Sequence, residues 1–448
     1  MINVFVYILT FGVDKVLRIS FLLLAPIIID PIFLGEYVLF MGLYAFFGVY
    51  FISSAPALVV KESKSAVNFN KRFYFYLFFV LVALILCGVI NEFFSFLERF
   101  DFISFVLLAL SFPFHVLLSL RFSEIRVMGL GRKESYLRSI FYPLVFFLVI
   151  YLGVSEYQGV AVSLGFLIAS LVTLIYVSYI ERGESQVQEL IKDVDRDFLF
   201  NMTSIGMILV IVSQIDKFVI AVFLDKSNVA LYSIIISLTV IPSMLLSAIN
   251  PYFITVFSKY KEDSGFVINF YSGYVVVLGS LAIILFPFIE WFIKEYFIIS
   301  RADYNLDPSV ISLCVKLGIF ATLYNVITGP LASMLQYGGK HRLDFRLSVF
   351  QVLIAIAVSP VLIKFYGFEG AFYSYIISNI FINLIRFYFV RRQNEVGVGF
   401  LFLCLIYYFI YFFSGFLVVS VLVSIFFSII FIFIYKDRVV FFIRGLSR

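Results

Sequence analysis

Apolar runs long enough to cross a bilayer follow one another along this chain with little between them. Windows such as LFFVLVALILCGVI, residues 77–90, are apolar on every face. A strand of an outer-membrane barrel alternates lipid-facing apolar with lumen-facing polar residues, so these windows are helices. A spanning helix needs about 20 apolar residues to cross a core of roughly 30 Å. Read between charged, Pro and Gly punctuation, the sequence offers fourteen candidates. In the first half they are 2–26, 37–60, 73–92, 102–120, 136–155 and 159–180. The second half gives 198–223, 229–252, 267–293, 309–336, 346–364 and 367–390. The run from Phe400 to Tyr435 is broken only at Ser414-Gly415 and reads as a hairpin, 398–413 and 416–435; without that pair the total is twelve.

Composition excludes a water-soluble alternative. Hydrophobic residues make up 63% and charged residues 14%, against roughly 45–50% and about 25% in ordinary globular chains. A folded particle always keeps a large skin, and this sequence cannot make it polar. The expected fold class is an all-α polytopic membrane protein. The N-terminus, MINVFVYILTFGVDKVLRIS, has no basic leader and carries charge inside its apolar stretch, so it is expected to be a first membrane helix. Cys87, Cys314 and Cys404 stand far apart, and His115 and His341 have no ligand-like neighbours. No disulfide, metal or cofactor is expected, and no partner among nucleic acids.

Lys and Arg in short loops set orientation. With the N-terminus inside, the cytoplasmic segments hold 23 Lys/Arg and the opposite loops five. Both termini are then expected to be cytoplasmic.

The two halves share a register. Tyr37, Pro56 and Lys64 match Tyr232, Pro251 and Lys259 at an offset of 195; Gly131 and Arg138 match Gly339 and Arg346 at 208. Six helices per copy give both copies one orientation, hence a pseudo-twofold along the membrane normal, as in parallel-repeat transporters. The expected division is a lobe over 1–180, a charged cytoplasmic connector over 181–197, a second lobe over 198–390, and a helix pair with a cytoplasmic tail over 391–448.

An ionisable group in hydrocarbon costs at least about 2.5–3.5 kcal/mol on insertion scales. The first span carries Asp14, Lys15 and Arg18, the seventh Asp216 and Lys217, and the tenth Lys316. Lys217 and Lys316 lie six and seven residues from the outer ends of their helices, about 10 Å deep at 1.5 Å per residue. Two readings stand side by side. Asp14 and Arg18 share a helix face and can neutralise each other, tying helices together. Four cations against two carboxylates also leave positive charge for an anionic substrate at Lys15, Arg18, Lys217 and Lys316. Asp14 and Asp216 have a further reading, reversible binding of H⁺ or Na⁺. Arg386, near the cytoplasmic end of its helix, is expected to snorkel. Ser53-Ser54-Ala55-Pro56 is expected to bend or terminate the second helix. Pro113, Pro242, Pro287, Pro330 and Pro360 read as hinges or tolerated kinks. Asn325, Thr328, Gln336 and Gln351 read as sugar-path lining or as interhelical hydrogen bonders. No nucleotide-binding loop or catalytic constellation occurs, so the chain is not expected to be an enzyme.

LGEYVLF after the first span, and QIDKFVIAVFLDKSNVALYSI around the seventh, resemble the MATE-like MOP superfamily, and within it the Wzx-type O-antigen flippases. The resemblance extends over the whole chain through diffuse motifs. One departure is that Asp14-Lys15 and Asp216-Lys217 are not equivalent in the Tyr37/Tyr232 register. The resemblance implies a lipid-linked oligosaccharide on undecaprenyl pyrophosphate as substrate, flipped to the periplasmic leaflet beside other polysaccharide assembly proteins. A MATE-type multidrug antiporter and a lipid II flippase share that fold. An O-antigen polymerase is disfavoured because no outer loop exceeds about twenty residues.

Overall fold

Aspartate and proline set where several helices begin. In the computed structural model the described residues are 30–62, 71–94, 102–127, 131–181, 196–240, 264–300, 307–335, 341–390 and 417–447. Asp30 accepts a hydrogen bond from the Ile32 N–H at 2.8 Å, and Pro31 opens α1 (Pro31–Val49), where its missing donor costs nothing. A π-helical turn, Tyr50–Ser54, carries the chain into α2 (Ala55–Glu62). The helix is therefore not terminated at Pro56. Its ring, which would clash with the carbonyl four residues back, is accommodated by the wider turn. A second π turn, Leu137–Phe141, stands in the same relation to Pro143.

After α3 (Lys71–Phe94) and α4 (Phe102–Val127) come a short α5 (Gly131–Tyr136) and α6 (Tyr142–Glu181). If straight, forty residues would reach about 60 Å. Instead the run doubles back. A Cβ on Gly153 would lie 3.1 Å from that of Ala161, and one on Gly165 would lie 3.2 Å from both Phe146 and Ile150. The expected fifth and sixth spans are thus the two arms of one hairpin. They pack on α4 around Leu118, Phe122, Ile125, Leu137 and Val177.

The second half contains α7 (Arg196–Phe223), α8 (Lys226–Thr239), α9 (Ser264–Ser300) and α10 (Pro308–Leu335). It continues with α11 (His341–Tyr366), α12 (Phe368–Val390), α13 (Leu417–Ile434) and α14 (Lys436–Ser447). Asp225 caps α8, accepting from the Asn228 N–H and the Ser227 hydroxyl, each at 2.7 Å. The 195-residue register that pairs Tyr37 with Tyr232 also pairs this cap with Asp30. Asp307 caps α10 through the Ser309 N–H at 2.8 Å, which holds its carboxyl below the ordinary range. Gly367, at φ +58°, makes the tight turn between α11 and α12, a conformation side chains disfavour. Pro113, Pro287 and Pro360 lie inside continuous helices; Pro242 and Gln336 lie outside the described residues.

Every expected span that falls within the described residues is helical, and no strand occurs among them. Seven helices there are long and apolar enough to cross a membrane, or eight with the bent pair α13–α14. The expected spans 2–26 and 398–413 lie outside the described residues. Large apolar side chains remain exposed on these helices, Phe78 and Phe79 on α3 at 63% each and Phe433 on α13 at 76%. In water such surface would be a liability; in a bilayer it is the lipid-facing side. The chain is a multi-pass, all-α membrane protein.

It divides into two compact units, one ending at Leu231 and the other beginning at Tyr232. The first is organised around α4. Phe40 and Tyr44 of α1 meet Phe105 and Phe112 edge to face, each pair with ring centroids 5.0 Å apart. The second is organised around α9 and the α10–α12 cluster, where Tyr232 meets Phe372 at 5.0 Å. Gly35 marks a close approach within the first unit: any Cβ there would collide with the Lys226 carbonyl. Gly35→Ala should therefore push α1 and α8 apart and cost about 1–3 kcal/mol, read as a lowered melting midpoint in detergent.

Candidate functional site

Polar groups inside the spans require partners, because hydrocarbon supplies none. Of the six charged positions singled out by sequence, Asp14, Lys15 and Arg18 lie outside the described residues. Asp216 and Lys217 sit on α7, and Lys316 on α10 in the other unit. Lys316 is half-buried, beside the buried Cys314 and Val315.

Lys217 is half-buried, and its Nζ donates to the Gln214 amide oxygen at 2.9 Å, one helical turn away. The Gln214 amide nitrogen in turn donates to the Ser213 hydroxyl at 3.3 Å. Opposite this stripe, α1 presents Gly42, where a Cβ would come within 3.1 Å of the Gln214 Oε1. The glycine makes room for the amide. Asp216, one residue along and so about 100° round the helix, is buried at 4% exposure. The hydrogen-bond partner of Lys217 is thus a neutral amide, while the neighbouring Asp216 carboxylate acts on its ammonium electrostatically. An ammonium held this way retains donors for an anion.

Arg386 corrects the sequence reading. It does not snorkel: it is 7% exposed, and its fork is filled by protein acceptors. Nε donates to Asp344 of α11 at 2.8 Å, and the two terminal nitrogens donate to Asn383 at 3.1 Å and to Ser348 at 3.0 Å. Asp344 lies in the first turn of α11, at the level the Arg386 fork reaches. The buried guanidinium is both paired and hydrogen-bonded, as a charge away from water must be.

The polar residues of this unit hold helices together. Gln351 donates to Asn379 at 3.2 Å, and Asn325 to the Tyr375 hydroxyl at 3.0 Å. Thr328 bonds back to the Tyr324 carbonyl of its own helix at 2.8 Å. Asn325 and Gln351 thus make the interhelical bonds that one of their two readings expects.

One ion pair was not legible as such in the sequence. Lys226 Nζ donates to Glu36 Oε1 at 2.7 Å, and both residues are 7% exposed. The pair joins the first turn of α8 to the second turn of α1, beside the Gly35 approach. Gln214 was missed as well; its only signal was an amide three residues before a membrane lysine.

No family model matches the sequence, and no curated protein is similar to it at the sequence level. Solved structures are similar in fold. The lipid II flippase MurJ, in an inward closed conformation, superposes with a TM-score of 0.73 at 14% identity, covering 96% of this chain and 99% of that one. An inward-facing multidrug resistance MATE transporter of the MOP superfamily gives 0.61 at 13% identity, covering 89% and 94%. A MATE transporter of Vibrio cholerae gives 0.58 at 12% identity, covering 88% and 96%. Over nearly its whole length, the chain shares its fold with these solved structures.

Proposed function

We propose that this protein flips an oligosaccharide unit carried on undecaprenyl pyrophosphate, of the O-antigen repeat type, from the cytoplasmic to the periplasmic leaflet of a bacterial inner membrane. The observation that carries the reading is Lys217, an ammonium inside a span whose hydrogen bond goes to an amide, leaving further donors for an anion. Pyrophosphate oxygens are strong acceptors for such a group. Lys15, Arg18 and Lys316 complete the proposed anion site. The lipid tail stays in the bilayer while the headgroup crosses between lobes at 1–180 and 198–390, joined by the connector 181–197, in an alternating-access cycle. Both termini are placed in the cytoplasm. Asp14 and Asp216 are the proposed positions for H⁺ or Na⁺ coupling. The chain acts as a carrier and not as an enzyme.

Similarity to a lipid II flippase over nearly all of both chains supports a lipid-linked cargo, and it favours lipid II as the second reading. The two differ only in headgroup. Complementation separates them: the gene should restore surface polysaccharide to a strain lacking its O-antigen flippase and should not restore growth to one lacking its lipid II flippase. The reverse result would move the assignment to lipid II. Restoration of neither, with resistance to cationic drugs gained, would move it to multidrug export.

A further inference from the structure

The last helix has a role that transport does not account for. After α13 the chain turns by 81° into α14. A helix at right angles to a span lies along the membrane plane. Its sequence, KDRVVFFIRGLS, sets three cations against one carboxylate among bulky apolar residues. One side is already used. Phe442 is buried, with its ring 4.9 Å from Phe270 and 6.1 Å from Tyr274, and Phe441 meets Phe266 at 5.2 Å. Gly273 of α9 lets the backbone at Arg438 come against it; any Cβ there would collide with the Arg438 carbonyl. The helix is thus clamped to the end of α9 and does not trail as a tail.

The opposite side is turned away from the protein. Lys436 and Arg444 are exposed, with Val440 between them at 45% exposure. At 100° per residue these three span less than a quarter of the helix circumference. Arg438, about 160° round from Val440, is half-buried on the side that packs against α9. An apolar residue bracketed by cations suits the boundary where acyl chains meet phosphates. Each Lys or Arg near an anionic surface contributes about 1 kcal/mol, so the two exposed cations make a measurable preference.

We infer that α14 is an interfacial helix that binds anionic phospholipid headgroups of the leaflet next to it, through Lys436 and Arg444. This goes beyond the transport reading and stands if that reading fails. The test is the full-length protein in nanodiscs of phosphatidylcholine alone or with a third phosphatidylglycerol. The wild-type melting midpoint should rise by several degrees with phosphatidylglycerol and lose most of that rise in 0.5 M salt. K436Q/R444Q should lose the difference between the two lipids, while K436R/R444K keeps it. An equal rise in the double glutamine variant, or no rise in the wild type, overturns the inference. If the double glutamine variant does not fold, Val440→Cys carrying an environment-sensitive fluorophore decides. Quenching by lipids doxyl-labelled near the headgroup, with weak quenching by aqueous iodide, supports an interfacial helix; strong iodide quenching alone overturns it.

Discussion

Glu36→Ala should lower the stability of this protein by about 3–5 kcal/mol, the usual cost of removing one partner from a buried ion pair. The physical reason lies with the residue left behind. Lys226 is 7% exposed at the first turn of α8, and its ammonium reaches the carboxylate at 2.7 Å. Gly35 places the Lys226 carbonyl against α1, so the backbone around the lysine has little freedom to carry it to water. Glu36→Gln should cost less, since the amide oxygen still accepts. The double variant E36L/K226L should recover most of the loss, because a buried pair replaced by apolar groups is often neutral. Thermal unfolding in detergent, with fluorescence as readout, measures all three. A loss below about 0.5 kcal/mol for Glu36→Ala, the level of a solvated surface pair, would show that headgroup water reaches the site.

Lys217→Met should reduce apparent affinity for a pyrophosphate-linked substrate about 10- to 100-fold. A hydrogen bond to a charged group contributes about 1.5–3 kcal/mol, and 1.4 kcal/mol is a factor of ten. Lys217→Arg keeps the charge and should retain much of the activity. Gln214→Leu removes the acceptor at 2.9 Å while leaving the ammonium, so it should loosen binding by a smaller factor. Each variant is compared at matched membrane abundance, with surface polysaccharide as readout. Full activity in Lys217→Met would remove α7 from the anion site.

How much of this was legible in the sequence depended on the kind of signal. Spans are long-window properties, and the hairpin within Tyr142–Glu181 was visible as two apolar runs meeting at a polar break. The cap at Asp225 repeats that at Asp30 because the two halves share a register. Arg386 was misread for a definite reason: on a helix apolar all round, periodicity does not say which side a neighbour covers. Its partner, Asp344, stands 42 positions away on another helix. Glu36 and Lys226 are separated by 190 positions, and no local spacing rule reaches that far. The turn into α14 was not legible because hydropathy falls at the end of the apolar run, at Tyr435, and the amphipathic helix begins only at Lys436.

The most direct test of the central claim is translocation by the purified protein in liposomes. The cargo is a fluorescent oligosaccharide on a polyprenyl pyrophosphate, placed in both leaflets, and the readout is how much of it an external glycosidase can reach. Wild-type protein should raise the accessible fraction from about half to nearly all, Lys217→Met should slow that rise at least tenfold, and the same lipid ending in a neutral hydroxyl should not move. Equal transport of the neutral lipid, or an unchanged rate in Lys217→Met, would contradict an anionic headgroup bound at α7.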